Sequence, residues 1–158
     1  MVIPLKRSFL LASCLVPMLL ASGCSLMRNR TAEEDSRLKA QQLANRGTEF
    51  LQRGELREAG ELFAEATKLV PDHERAHAEY ARVLWKQGKQ DDAIVHMKRA
   101  AVLSANDPAY RVEIGQMELQ RGNLDQALKN AEVAVRADNQ SFEAFALRGN
   151  IRDQQGNI

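Results

Sequence analysis

An all-α solenoid of short helical repeats is the fold this sequence predicts, and three observations carry the prediction. Glycines at 54, 88, 122 and 156 stand 34 residues apart. Ala59, Ala93 and Ala127 keep that step, as do Ala66, Ala100 and Ala134, while Gly47, Ala81, Gly115 and Gly149 form a fourth column of small residues. Each period also holds two apolar-periodic stretches, such as 41–53 and 55–70, each the length of a short amphipathic helix. Aromatic residues make up only 5% of the chain, which suits helices packed closely through small side chains better than a β-sandwich.

The chain of 158 residues has room for one domain, and its first stretch reads as an address. Lys6 and Arg7 are the only charges in the first 23 residues, and Ser8 to Leu20 is uncharged and mostly apolar. That run, broken by Pro17, falls short of the ~20 residues a spanning helix needs, so it reads as an export signal. Leu20-Ala21-Ser22-Gly23-Cys24 resembles the lipobox of bacterial lipoproteins, with Ala21 departing from the commoner leucine. The resemblance implies a diacylglycerol on the thiol of Cys24 and removal of residues 1–23 as a signal peptide. Further acylation, for example by palmitate, gives durable anchoring where one chain is marginal. Ser25 in place of aspartate implies sorting to the outer membrane of the cell envelope, facing the periplasm. The alternative is an ordinary cleaved signal that happens to contain Cys24. Residues 24–31 are then a lipidated tether, whose Arg28 and Arg30 are solvated or lie near anionic headgroups. Cys14 lies in the removed segment, so no disulfide framework holds the folded part.

The repeats come next, and their residues resemble the tetratricopeptide repeat (TPR) family, whose period is 34. The first repeat, 40–73, has Gly47, Phe50, Gly54, Ala59, Phe63, Ala66 and Pro71 at the family's signature spacing. The second, 74–107, has Tyr80, Ala81, Leu84, Gly88, Ala93 and Ala100, but Ala105 replaces the late proline. The third, 108–141, has Glu118 where the family prefers tyrosine and Ala131 where it prefers a larger residue, so it is expected to pack least tightly. A partial fourth, 142–158, completes about three and a half repeats, and the TPR domain is expected over 32–158. Glycine ends each first helix by entering the left-handed region. Asp107-Pro108 is an N-cap followed by a proline at the first helical position, and Thr31 with Glu34 has capping-box spacing, which places a helix start near Ala32. A single helix pair cannot bury its own apolar face, so the repeats must stack.

The last residues, Gln155-Gly156-Asn157-Ile158, repeat the opening Arg121-Gly122-Asn123-Leu124. Either helix 142–155 is a terminal cap or the chain is a fragment of a longer protein. The fragment reading is favoured, because a cap has no need to restart the motif, and Phe142, Phe145, Leu147 and Ile151 leave much to cover.

One enzyme motif stands out. His73-Glu74-Arg75-Ala76-His77 matches H-E-x-x-H, which sets two imidazoles on one helix face for zinc with a glutamate as base. It spans a repeat junction, lacks a third ligand, and His96 is expected to point away from it, so a metalloprotease is only a remote alternative. No phosphate loop, nucleophile elbow or free catalytic cysteine is present, and neither a cofactor nor an enzyme is implied. Removing residues 1–23 leaves 20 basic and 21 acidic side chains, a balance that argues against nucleic acid as a partner.

The TPR resemblance implies instead a protein or peptide held in a concave groove lined by the first helix of each repeat. By register the groove residues are Arg75, Ala78, Arg82, Trp85, Lys86, Val112, Gln116 and Leu119, flanked by Gln41, Ala44, Thr48, Leu51, Gln52 and Gln120. Trp85, the only tryptophan, stands among Arg75, Arg82 and Lys86. This is either a hot spot for an acidic or C-terminal peptide, or a packed indole beside solvated cations. The lysines and asparagines of the carboxylate clamp are replaced by Ala44, Thr48, Glu79, Ala109 and Glu113, so the chaperone-binding subfamily's partners are not implied. The layout looks like small lipoproteins that help assemble type IV or Flp pili, the outer membrane or cell-wall enzymes. A non-catalytic, membrane-anchored scaffold is therefore expected, with self-association through exposed repeat ends as the alternative.

Overall fold

The computed structural model describes residues 16–156, with side chains from residue 31 onward. Among these residues there are seven α-helices and no strand: α1 (Val16–Gln52), α2 (Leu56–Leu69), α3 (Glu74–Lys86), α4 (Gln90–Leu103), α5 (Pro108–Gln120), α6 (Leu124–Ala137) and α7 (Phe142–Gln154). The chain divides into two compact units, one up to Ser36 and one from Arg37 on. Residues 1–15 of the expected signal segment lie outside the described residues.

Helix α1 differs from expectation. A start was expected near Ala32, but the helix runs through Cys24 and the segment 24–31 and passes Thr31 and Glu34 without starting there. No residue from Cys24 to Thr31 is glycine or proline, and Leu26, Met27, Arg28 and Arg30 are good helix formers, so nothing in the segment stops a helix. A capping-box spacing inside a continuous helix has no free amides to cap.

From Arg37 on, each of the three full repeats is a helix pair joined by the same turn. The Lys89 amide donates to the Leu84 carbonyl (2.9 Å) and the Gly88 amide to that of Trp85 (3.0 Å), the double bond of a Schellman cap. Glu55 with Phe50 and Gly54 with Leu51 repeat it one period earlier, Asn123 with Glu118 and Gly122 with Leu119 one period later. The turn needs a positive φ at its glycine, and Gly54, Gly88, Gly122 and Gly156 have φ of 81°, 79°, 79° and 71°. At the next boundary Asp107 Oδ1 accepts from the Ala109 amide (2.8 Å), with Pro108 opening α5 as expected.

The α4–α5 connection solves its turn less well. Where the first repeat has Pro71, this one has Ala105, and both Ala105 (φ 55°) and Asn106 (φ 67°) sit in the left-handed region. Asparagine tolerates that conformation, whereas alanine's Cβ crowds the carbonyl at a cost of roughly 1–2 kcal/mol. Ala105→Gly is therefore expected to raise the urea midpoint, through a gain in stability of about 0.5–1 kcal/mol once the entropy of a freer unfolded chain is subtracted. A lowered midpoint would show that the turn is not strained.

Three core clusters follow one another along the stack. The first joins Ala40, Leu43 and Ala44 of α1 to Ala59, Phe63 and Ala66 of α2 and Ala76 and Val83 of α3. The second joins Ala78 and Ala81 of α3 to Ile94, Met97, Ala100 and Ala101 of α4 and Ile114 and Met117 of α5. The third joins Val112 of α5 to Ala127, Ala131 and Ala134 of α6 and Ala144, Leu147 and Ile151 of α7. Each cluster thus uses one helix pair and the first helix of the next repeat, which is how a solenoid buries a surface that no single repeat can bury. Leu147 and Ile151, expected to need covering, are buried in the third cluster; Phe142 and Phe145 stay 77% and 40% exposed.

The third repeat keeps its core despite Glu118 in place of tyrosine. That carboxylate is 4% exposed, accepts from Asn123 Nδ2 (2.9 Å) and pairs with Lys98 Nζ (3.5 Å) across to α4. An ion pair and a hydrogen bond occupy the place of a ring.

Candidate functional site

The residues assigned by register to the groove divide into three groups. Ala78 (1% exposed) and Val112 (7%) belong to the second and third core clusters and offer nothing to a partner, which corrects their assignment. Ala44, wholly buried in the first cluster, goes with them. Ala44, Ala78 and Val112 form one column, 34 residues apart, and that column faces the core.

The second group is polar and already engaged. The Arg82 guanidinium donates through Nε to Glu113 Oε2 (2.9 Å), through Nη2 to Glu113 Oε1 (2.5 Å) and through Nη1 to Glu79 Oε1 (2.8 Å). This fork-to-fork pairing ties α3 to α5 and, with burial opposing it, raises the arginine's pKa above its ordinary value. The expected patch of three free cations around Trp85 is therefore not there: two carboxylates claim Arg82, and Arg75 and Lys86 remain as the exposed cations. Glu79 and Glu113 stand one period apart with Arg82 a turn beyond Glu79, so the triad was open to being read from the column spacing. Beside it, the Tyr110 hydroxyl donates to Glu74 Oε1 (2.9 Å), and burial together with that carboxylate pushes the phenol up to about 12. The indole of Trp85 packs on the second core cluster while staying partly exposed.

The third group forms a surface. Gln116, Leu119 and Gln120 of α5 face Phe142, Glu143, Ala146, Leu147 and Asn150 of α7 across a cleft of about 260 Å³. Phe142 is the residue the groove assignment missed. At the matching first helical position the other repeats have Glu74 and Pro108, so a large apolar residue in that column was the available signal. At the other end of the same helix series, Arg37 and Gln41 of α1 face Asp72, His73, Glu74 and Arg75 around an open pocket of about 380 Å³, with Arg37 and Asp72 3.6 Å apart.

The H-E-x-x-H residues serve three separate tasks. His73 caps α3, its Nδ1 accepting from the Ala76 amide (3.2 Å), and Glu74 receives Tyr110. His77 Nε2 lies 3.1 Å from the Pro71 carbonyl, and its Nδ1 lies 2.9 Å from Nδ1 of His96. His96 was expected to point away from this junction; instead its ring stacks on His77 (centroids 5.1 Å apart) and meets the edge of Tyr80 at 4.6 Å. The reason is that α4 packs antiparallel on α3, so its inner face includes His96. Among the described residues no three His, Cys, Asp or Glu side chains gather as metal ligands.

Comparison with known proteins agrees with this geometry. The model of the tetratricopeptide repeat family matches residues 45–111, from within α1 to the first turn of α5. The fold is a TPR solenoid. Similar solved structures include the first TPR of Spaghetti (RPAP3) bound to the HSP90 peptide SRMEEVD, at 18% identity and TM-score 0.70 over 75% of this chain and 94% of that one. MamA aligns at 17% identity and TM-score 0.71 over 75% of this chain and 70% of its own. The Yersinia enterocolitica type III secretion chaperone SycD, in complex with a peptide of the translocator YopD, aligns at 19% identity and TM-score 0.66 over 73% and 93%. No curated protein matches the chain in sequence. At these identities the likeness is one of fold.

Proposed function

We propose that this chain is a non-catalytic scaffold, attached to a bacterial envelope membrane through Cys24, that holds a partner protein on the face formed by the first helices of its repeats. The observation that carries the reading is the α5–α7 cleft: an apolar floor with Phe142 beside it, 77% exposed. A large side chain held open at a cleft between repeats is the kind of surface that binding partners cover. The RPAP3 and SycD structures each have a peptide bound, which supports peptide binding as a use of this fold. A photo-crosslinking amino acid at position 142 should give a discrete protein adduct in envelope preparations, and one at exposed Lys68 on α2 should not. Equal labelling at both positions would remove the assignment.

The membrane part of the proposal rests on the lipobox. No helix among the described residues is long and apolar enough to cross a membrane, and the proposed attachment is through acyl chains on Cys24. Expressed in a Gram-negative host, the mature protein should begin at residue 24 and carry acyl mass in the membrane fraction, and Cys24→Ser should release it to the soluble fraction. An unacylated soluble wild type would refute the anchor and leave the groove reading standing. Pilus or outer-membrane assembly is the setting that the layout suggests. Self-association is the second reading, favoured by the exposed Phe142 and Phe145 on α7; a monomer at all concentrations in light scattering would sink it.

A further inference from the structure

We infer that the α5–α7 cleft selects a protein segment presenting a large apolar side chain next to a lysine or arginine, and that it rejects acidic segments. The inference rests on the scaffold reading above and adds the chemistry of the partner.

The cleft lining gives the first half. Leu119, Ala146 and Leu147 form an apolar floor beside the Phe142 ring. Around them stand three amides, Gln116, Gln120 and Asn150. Each offers a donor pair and an acceptor, so together they can serve the amides and carbonyls of an extended backbone without demanding charge. An inserted apolar side chain would be flanked by main chain that these amides satisfy.

Charge gives the second half. Glu143 is the only charged residue in the lining, and its carboxylate is exposed. On the same series of helices Glu79 and Glu113 share one guanidinium, which leaves the triad with one net negative charge. A partner carboxylate could recruit Arg82 only by displacing two carboxylates already bonded to it. Arg75 and Lys86, the exposed cations of α3, are not in the cleft lining. With Glu143 as its one charge and Arg148 and Arg152 of α7 outside it, the lining favours a basic residue and disfavours an acidic or carboxylate-terminated one.

The test pans a random linear peptide library against the immobilised full chain. Enriched sequences should pair Phe, Leu, Met or Trp with Lys or Arg. A synthetic version should lose about tenfold or more in affinity to Phe142→Ser, as expected for a hot-spot side chain. Glu143→Lys should shift the enriched class away from basic peptides. Because Phe142 and Glu143 are exposed, both variants should melt with the wild type, which separates binding from folding. Acidic peptides that compete for the same cleft would overturn the partner chemistry while leaving the groove reading intact. Peptides indifferent to both variants, or none enriched, would overturn the cleft and with it the groove reading. Dimers dissolved by Phe142→Ser would show that a second copy covers the cleft and would also overturn the inference.

Discussion

Phe63→Ala is expected to cost about 3–5 kcal/mol, a large share of the ~5–15 kcal/mol typical of a domain. Phe63 of α2 is fully buried in the first core cluster, which α1 and α3 also line. Its ring exists because Gly47 makes room for it: a Cβ at Gly47 would stand 2.9 Å from Phe63 Cε1 and 3.0 Å from Cζ. The two residues are thus one packing unit read from two columns of the repeat. Gly47→Ala alone should destabilise by about 1–3 kcal/mol through overpacking, partly offset by ~1 kcal/mol of helix propensity. In a Phe63→Leu background the offending ring edge is gone, and Gly47→Ala should become neutral or stabilising. Urea denaturation of the four proteins gives a coupling energy, expected near 1–2 kcal/mol. Additive effects would mean that the column of small residues is not there to admit the ring. Because contacts run only between neighbouring repeats, amide exchange should accelerate first in α2 and α3 and last in α7.

The same dependence on neighbours explains what the sequence revealed. The fold was legible because a solenoid writes its structure once per period. The Gly54–Gly88–Gly122–Gly156 column is the left-handed residue of a repeated cap, and the alanine columns are helix contacts. Helix starts marked by Asp107-Pro108 were equally open to reading, since cap chemistry is local. What escaped was contact between side chains of different helices. Register alone set Arg82 free in the groove, although Glu113, 31 residues on, claims it. It turned His96 outward, although His77, 19 residues back, meets it. Ala78 and Val112 were assigned to the groove but are buried in the core, because spacing alone does not say which face of a helix its neighbours cover. Segment 24–31 is a different case: a resemblance to a lipobox bears on cutting and acylation, and says nothing about whether the residues behind it are helical, as they are here.

Acid sensitivity is the second large effect expected, and it comes from the histidine pair. With His77 Nε2–H donating to the Pro71 carbonyl, His77 Nδ1 must accept, and a single proton on His96 Nδ1 fills the 2.9 Å gap. Two further protons on the pair would set N–H against N–H. Burial lowers the pKa of both rings below 6.5; on His77 the hydrogen bond to Pro71 opposes it while Arg99 and His73 push the same way, and on His96 the neighbouring His77 adds to it while Asp92 opposes. In the unfolded chain both rings return to about 6.5, so below that pH the unfolded state binds more protons than the folded one. This contribution to stability is therefore intact above about pH 6.5, declines as pH falls through the window down to the folded values, and is lost beneath them. The junction of α3 with α4 and the Pro71 turn is where the opening should begin. Thermal melts at pH 7.5 and pH 5 should fall further for the wild type than for a His77→Gln/His96→Gln variant, each kcal/mol being worth roughly 2–8 °C. The variant shares every surface carboxylate, so the common acid response cancels and only the pair remains. Parallel melting curves would show that the two rings titrate as freely in the fold as outside it, and would leave their stacking on Tyr80 as a matter of packing alone.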